Sequence, residues 1–165
     1  MYNLVFWDYI PTKIMFHYYC NKEAGVWIYK TVDQWKKENP GIAETLEPYT
    51  AKNRPDIVFS GDPLHDYTTK EYLNPRIIVV ENKKGPLLFN MFKLKYDIVD
   101  VKSGEIIARG INFSSGYGSN PFELGSRYGW KSFKVWLAED KCSCSEKYMD
   151  NLFDYMEKIR NIGGK

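Results

Sequence analysis

The chain has 165 residues, of which 44% are hydrophobic, 16% aromatic and 27% charged, with a formal net charge of +2. This length predicts one domain spanning residues 1–165, and the aromatic content excludes an intrinsically disordered chain. The near balance of charges argues against binding nucleic acid through a basic surface, and no apolar run approaches the ~18 residues of a membrane-spanning helix.

The first half of the chain is predicted to contain helices and strands in irregular order. Clusters of β-branched and aromatic residues are typical of strands, and they occur at residues 26–32, 54–60 and 76–84. Capping residues followed by stop signals predict two helices, at about residues 12–23 and 33–39. Two prolines and a glycine predict a long loop over residues 61–75.

The clearest element in the second half is a hairpin. Apolar and polar residues alternate from Phe92 to Ile98, which is typical of a strand with one buried face. Residues 102–105 form its predicted turn, and residues 105–113 return as the antiparallel partner. The glycine-rich residues 114–129 predict a long loop, and an amphipathic pattern predicts a helix at 145–160.

These elements predict an α+β fold. The strands are expected to form a mainly antiparallel sheet of four to six strands, with the N- and C-terminal helices on one face. Strands and helices do not alternate regularly along the chain, which argues against a doubly wound parallel sheet.

Three residues in the middle of the chain resemble the signature of the PD-(D/E)xK nuclease superfamily. Asp56 follows Pro55 at the start of one predicted strand, and Glu81 and Lys83 lie at the end of the next. In that superfamily two such carboxylates hold one or two Mg²⁺ ions, which activate water and neutralise the scissile phosphate. The resemblance implies Asp56 and Glu81 as metal ligands and Lys83 as the residue that orients the attacking water.

The same residues also fit a non-catalytic pair of strands with solvated charges at its ends. The superfamily usually continues into a helix after this signature, whereas this chain is predicted to continue as a strand. A Mg²⁺-dependent nuclease that acts on nucleic acid is therefore the alternative function.

The glycine-rich residues 114–129 also predict a protein-recognition loop. Tyr, Ser, Gly, Asn and Arg are common there, and these residue types are typical of protein-binding loops. Tyrosine, tryptophan and arginine supply many interface hot spots. The expected contact residues are Tyr117, Phe122, Arg127, Tyr128 and Trp130. The other interpretation is a long connector whose aromatic side chains fill the core.

The chain has three cysteines, which are Cys20, Cys142 and Cys144. Cys142 and Cys144 are too close in the chain for an easy mutual disulfide. Two interpretations follow: a disulfide joins Cys20 to Cys142 or Cys144, or all three residues are buried thiols in a cytosolic protein.

The segment from Cys20 to Val32 resembles a segment of small bacterial envelope or lipoprotein-like proteins. In those proteins a Cys-x-x-Glu-Ala-Gly stretch runs into an Ile-Tyr-x-x-Val strand, and the hairpin at 96–108 is similar to their second half. The resemblance implies a periplasmic or extracellular setting and a disulfide at Cys20, whereas reduced cysteines would indicate the cytoplasm. It implies no activity.

The leading prediction is a non-catalytic α+β domain that binds another protein and needs no cofactor. An immunity or accessory role at a bacterial envelope or in a mobile element fits this prediction. Nucleic acid and Mg²⁺ belong only to the nuclease alternative.

Overall fold

The computed structural model describes residues 9–50, 52–62, 65–88, 91–115, 140–141 and 143–163. The helices in these residues are α1 (Tyr9–Lys22), α2 (Val32–Glu38) and α3 (Ser143–Arg160), with a 3₁₀ turn at Ala43–Thr45. The strands are β1 (Gly25–Ile28), β2 (Val58–Gly61), β3 (Tyr67–Tyr72), β4 (Ile77–Lys84), β5 (Met91–Asp100), β6 (Ile106–Ser115) and β7 (Asp140–Lys141).

Within the described residues, the strands form one antiparallel sheet. The strand order is β1-β6-β5-β4-β3-β2, and the two-residue strand β7 also pairs with β6. Every pairing in this sheet is antiparallel. The predicted α+β class, the antiparallel sheet and the helices near both ends of the chain are therefore confirmed.

Strand β3 is the main difference from the sequence prediction. The pattern predicts a loop over residues 61–75, but Tyr67–Tyr72 form a strand between β2 and β4. The tyrosines and threonines of this segment favour strands, and the prolines that indicated a loop lie before and after it. Gly61, with a φ of 114°, permits the tight connection from β2 to β3.

Helices α1 and α3 pack against alternate residues of β6. At Gly110 the helix α3 comes so close that an added Cβ would lie 2.6 Å from the Leu152 side chain. On α1, Phe16 packs in a second apolar cluster with Phe113, and the Tyr19 ring stacks 5.3 Å from the Phe113 ring. Gly110 and Phe113 point to opposite sides of the strand, so α3 and α1 contact β6 through different side chains, and the two helices also contact each other.

The carboxylate of Asp100 joins three parts of the fold at the end of β5. It accepts hydrogen bonds from Trp35 Nε1 at 3.0 Å, from Arg76 Nε at 2.6 Å and from the N–H of Lys102 at 2.9 Å. Asp100 is only 3% exposed. Burial raises the pKa of Asp100, but the hydrogen bonds, above all that from Arg76, outweigh it and hold the pKa below its usual value.

We expect Asp100→Ala to lower the free energy of unfolding by about 3 kcal/mol, because it leaves the Arg76 and Trp35 donors buried without an acceptor. Asp154→Ala is the control, since Asp154 pairs with Lys158 on the exposed side of α3 and such pairs contribute roughly 0–1 kcal/mol. Urea unfolding measures the free energy of unfolding of both variants. Equal decreases in this free energy would contradict the structural role of Asp100.

The lowered pKa of Asp100 also predicts a loss of stability in acid. Because the folded pKa lies below the ordinary value of about 3.9, the ionised group stabilises the fold in full above that pH. This stability is lost as the pH falls through the lowered, folded pKa. We expect the difference in unfolding free energy between wild type and Asp100→Asn to be largest near neutral pH and to shrink below about pH 4. Urea titrations at several pH values between about 3 and 7 test this prediction. A difference in unfolding free energy that does not change with pH would contradict it.

Candidate functional site at the open edge of the sheet

Strand β2 forms an open edge of the sheet. It pairs with β3 on one side, and no strand of the described residues pairs with its other side. All four residues of Val58–Gly61 are exposed. An edge strand presents unpaired N–H and C=O groups, which allow it to pair with a strand from another chain.

The open edge also exposes three consecutive apolar side chains. Ile57, Val58 and Phe59 are 47%, 52% and 48% exposed, respectively. Along an extended chain, Val58 points to one face of the sheet while Ile57 and Phe59 point to the other. Edge strands are usually protected by lysine, proline or a bulge, but residues 57–61 contain neither lysine nor proline. The edge therefore lacks two common barriers to strand pairing.

The hairpin between β2 and β3 determines which backbone groups of β2 point outward. Asp62 donates its N–H to the carbonyl of Asp66 at 2.8 Å, so residue 62 faces β3. In an antiparallel pair, every second residue directs its backbone N–H and C=O groups towards the partner strand. Ser60 and Val58 therefore face β3, as residue 62 does. The N–H and C=O groups of Phe59 therefore point away from the sheet, and continuing the same alternation one step before β2 gives this direction for Ile57 as well.

Aromatic side chains continue from this edge across one face of the sheet. The rings of Phe59 and Tyr67 lie 5.5 Å apart, and the Tyr67 hydroxyl donates to Glu81 at 2.7 Å. The ammonium of Lys83 lies 4.4 Å from the centre of the Phe92 ring and 5.7 Å from that of Tyr67. Burial and the hydrogen bond to Glu81 raise the pKa of Tyr67, which keeps its hydroxyl a donor at neutral pH. These contacts hold the side chains behind Phe59 in place.

The structure separates Asp56 from Glu81, the two carboxylates of the nuclease hypothesis. Strand β3 lies between β2 and β4, so the backbones of β2 and β4 are about 10 Å apart. Glu81 aligns with Phe59 through Thr69, and Asp56 lies roughly another 10 Å along the chain. A shared Mg²⁺ needs ligand distances near 2.1 Å, so this geometry does not support the nuclease alternative.

In the part of the chain that the structure describes, no cluster contains three or more His, Cys, Asp or Glu residues able to hold a metal ion. His65 Nδ1 lies 2.6 Å from the Asp62 carboxylate in the exposed connection between β2 and β3.

The predicted recognition-loop residues lie outside the described residues. These are Tyr117, Phe122, Arg127, Tyr128 and Trp130. Their role in binding stays a prediction. The open edge of β2 was not predicted, because its position depends on the order of strands in the sheet. The signal that could have indicated it is the apolar run at 57–59, which has no lysine or proline.

Cys20 is disulfide-bonded in the structure. It lies on the buried side of α1, where it is 4% exposed. The side chains of Cys142 and Cys144 lie outside the described residues, so the choice between them as partner stays a prediction.

We expect one free thiol per chain in denatured protein isolated without reductant, because the chain has 3 cysteines and a disulfide uses two of them. Reduction should expose all three. Cys20→Ser is the control, and it should give two thiols both before and after reduction. A chromogenic thiol assay measures each state, and three thiols in the unreduced wild type would contradict the disulfide.

Comparison of the chain with protein-family models, with curated proteins and with solved structures finds no match. Among the described helices, none combines the length and the apolar character needed to cross a lipid bilayer. What can be inferred about function therefore comes from the sheet edge itself.

Proposed function

We propose that this domain binds another protein by accepting an extended segment of that protein along β2. The observation that carries this proposal is the open edge, where Ile57 and Phe59 direct backbone groups outward beside three exposed apolar side chains. An added strand would form main-chain hydrogen bonds with β2, which supply affinity, while side-chain contacts supply specificity.

The two faces of the edge favour different side chains on the added strand. On one face, its residues would lie beside Phe59 and the Tyr67 ring, which favours aliphatic or aromatic side chains. On the other face they would lie beside Val58, whose neighbour in the register is the exposed Lys70. We therefore expect a segment that alternates between apolar residues and residues that are polar or acidic.

The disulfide at Cys20 supports placing this binding role in a periplasmic or extracellular setting. Disulfides persist in oxidising compartments and are rare in the cytosol. An immunity or accessory protein of a bacterial envelope or mobile element would act in this way, by contact with a partner protein and without a cofactor.

Selection from a phage-displayed library of linear peptides tests the proposal. We expect the wild-type protein to enrich peptides with alternating apolar residues, and Phe59→Lys to weaken their binding at least about tenfold, or ~1.4 kcal/mol. Val101→Lys is the control, because Val101 is a similarly exposed apolar residue, at 49%, in the turn after β5. It should bind the peptides as the wild type does.

Amide hydrogen exchange on the peptide complex identifies the mode of binding. Strand addition should protect the outward N–H groups of Ile57 and Phe59, whereas the N–H of Val58 already faces β3 and should change less. A failure to enrich peptides would contradict the proposal. So would enriched peptides that leave the amides of Ile57 and Phe59 unprotected.

A further inference from the structure

We infer that a second copy of this chain occupies the open edge when no other partner is bound. The β2 strands of the two copies pair in antiparallel fashion around a two-fold axis beside Val58, which makes one continuous sheet across both copies. This inference rests on the strand addition proposed above and names a partner for it. It follows from the direction of the backbone groups, the apolar pattern and the polar residues at the two ends of the segment 56–60.

The backbone of β2 is suited to pairing with its own copy. A two-fold axis beside Val58 places Ile57 of each copy opposite Phe59 of the other copy, which gives two equivalent pairs. Counting back from the Asp62–Asp66 hydrogen bond directs the N–H and C=O groups of Phe59 outward, and continuing the alternation one step before β2 gives the same direction for Ile57. Each such pair can exchange two hydrogen bonds, so the two pairs give about four across the axis.

The side chains match in the same register. Residues opposite each other in a sheet share a face and have Cβ atoms about 5 Å apart. Ile57 would contact Phe59 of the second copy on one face, and the two Val58 side chains would meet on the other. Each of these residues is about half exposed in the single chain, so pairing removes apolar surface from water.

Polar residues at the ends of the paired segment also match. With the axis beside Val58, Asp56 lies opposite Ser60 of the second copy, whose hydroxyl can donate to the carboxylate. Beyond residues 56–60 the pairing is no longer regular, and Arg54 and Asp62 keep their ion-pair partners within the chain, Glu71 and His65.

Neighbouring registers lack this match. Moving the axis to Phe59 would place Ile57 opposite Gly61 of the second copy, whose φ of 114° lies outside the range of a regular strand. Moving it to Ile57 would place Asp56 opposite Val58, which leaves a carboxylate beside an apolar side chain. The register centred on Val58 is therefore the one in which residues 56–60 of the two copies pair only with each other.

The paired segment is short. Pro55 has no N–H to donate, and Gly61 has a φ of 114°, outside the range of a regular strand. Regular pairing is thus confined to residues 56–60, which bury little surface compared with the ~1,600 Å² of a standard interface. The dimer should therefore depend on protein concentration, and a partner that adds a better-matched strand should displace the second copy.

Charge substitutions at the axis test the inference. We expect Val58→Lys and Val58→Glu each to raise the dimer dissociation constant at least about tenfold, because each places two like charges side by side. An equimolar mixture of the two variants should restore dimers, since lysine then faces glutamate. Sedimentation velocity over a range of concentrations measures the dimer dissociation constants of the wild type, of each variant and of the mixture. Circular dichroism confirms that each variant folds.

Val101→Lys is the matched control, because it makes the same substitution at a similarly exposed valine away from β2. It should dimerise as the wild type does. A wild type that is monomeric at every concentration would overturn the inference, and so would dimers unaffected by Val58→Lys or not restored by mixing. If selected peptides still protect the amides of Ile57 and Phe59 in a monomeric protein, the second copy is refuted while strand addition stands.

Discussion

The buried carboxylate of Asp100 holds together segments that are far apart in the sequence. It binds α2 through Trp35, the start of β4 through Arg76, and the β5–β6 turn through the N–H of Lys102. A charge with so little exposure is tolerated only when it is paired and hydrogen-bonded. All of these donors must be in place together, which gives α2, β4 and β5 one relative arrangement. The positions of β3 and β2 follow from it, because each pairs with the strand before it in the sheet.

Asn74 extends the same constraint to the C-terminal helix. Its side-chain oxygen accepts hydrogen bonds from the N–H groups of Arg76 and Ile77, and its amide donates to the carbonyl of Ile159 on α3. Asn74 is completely buried. The segment that enters β4 is thus fixed to α3 through Asn74 and to Asp100 through Arg76. These buried polar contacts make a rigid centre, and β2 lies two strands away from it.

Sequence patterns predicted the elements whose local signals agree, and they failed at β3, where flanking prolines and strand-forming side chains give opposite signals. The β5–β6 hairpin was predicted from the alternation between Phe92 and Ile98, and Gly104 adopts a φ of 71° in its turn. Strand β3 was missed because its flanking prolines indicate a loop, and without β3 the strands β2 and β4 would be neighbours. The pairing of Asp56 with Glu81 assumed that arrangement. For the same reason, the exposed side of β2 could not be located from local sequence alone.

An exposed apolar edge strand is a hazard, because it can pair without selectivity. In this chain Pro55 and Gly61 limit the length of regular pairing at either end of β2. The contact of Phe59 with Tyr67, and the hydrogen bond from Tyr67 to Glu81, hold the apolar face of the edge in one arrangement. A surface ordered in advance loses less conformational entropy on binding, which compensates in part for its small area. A short, ordered and apolar edge therefore favours exchangeable strand partners over permanent assembly.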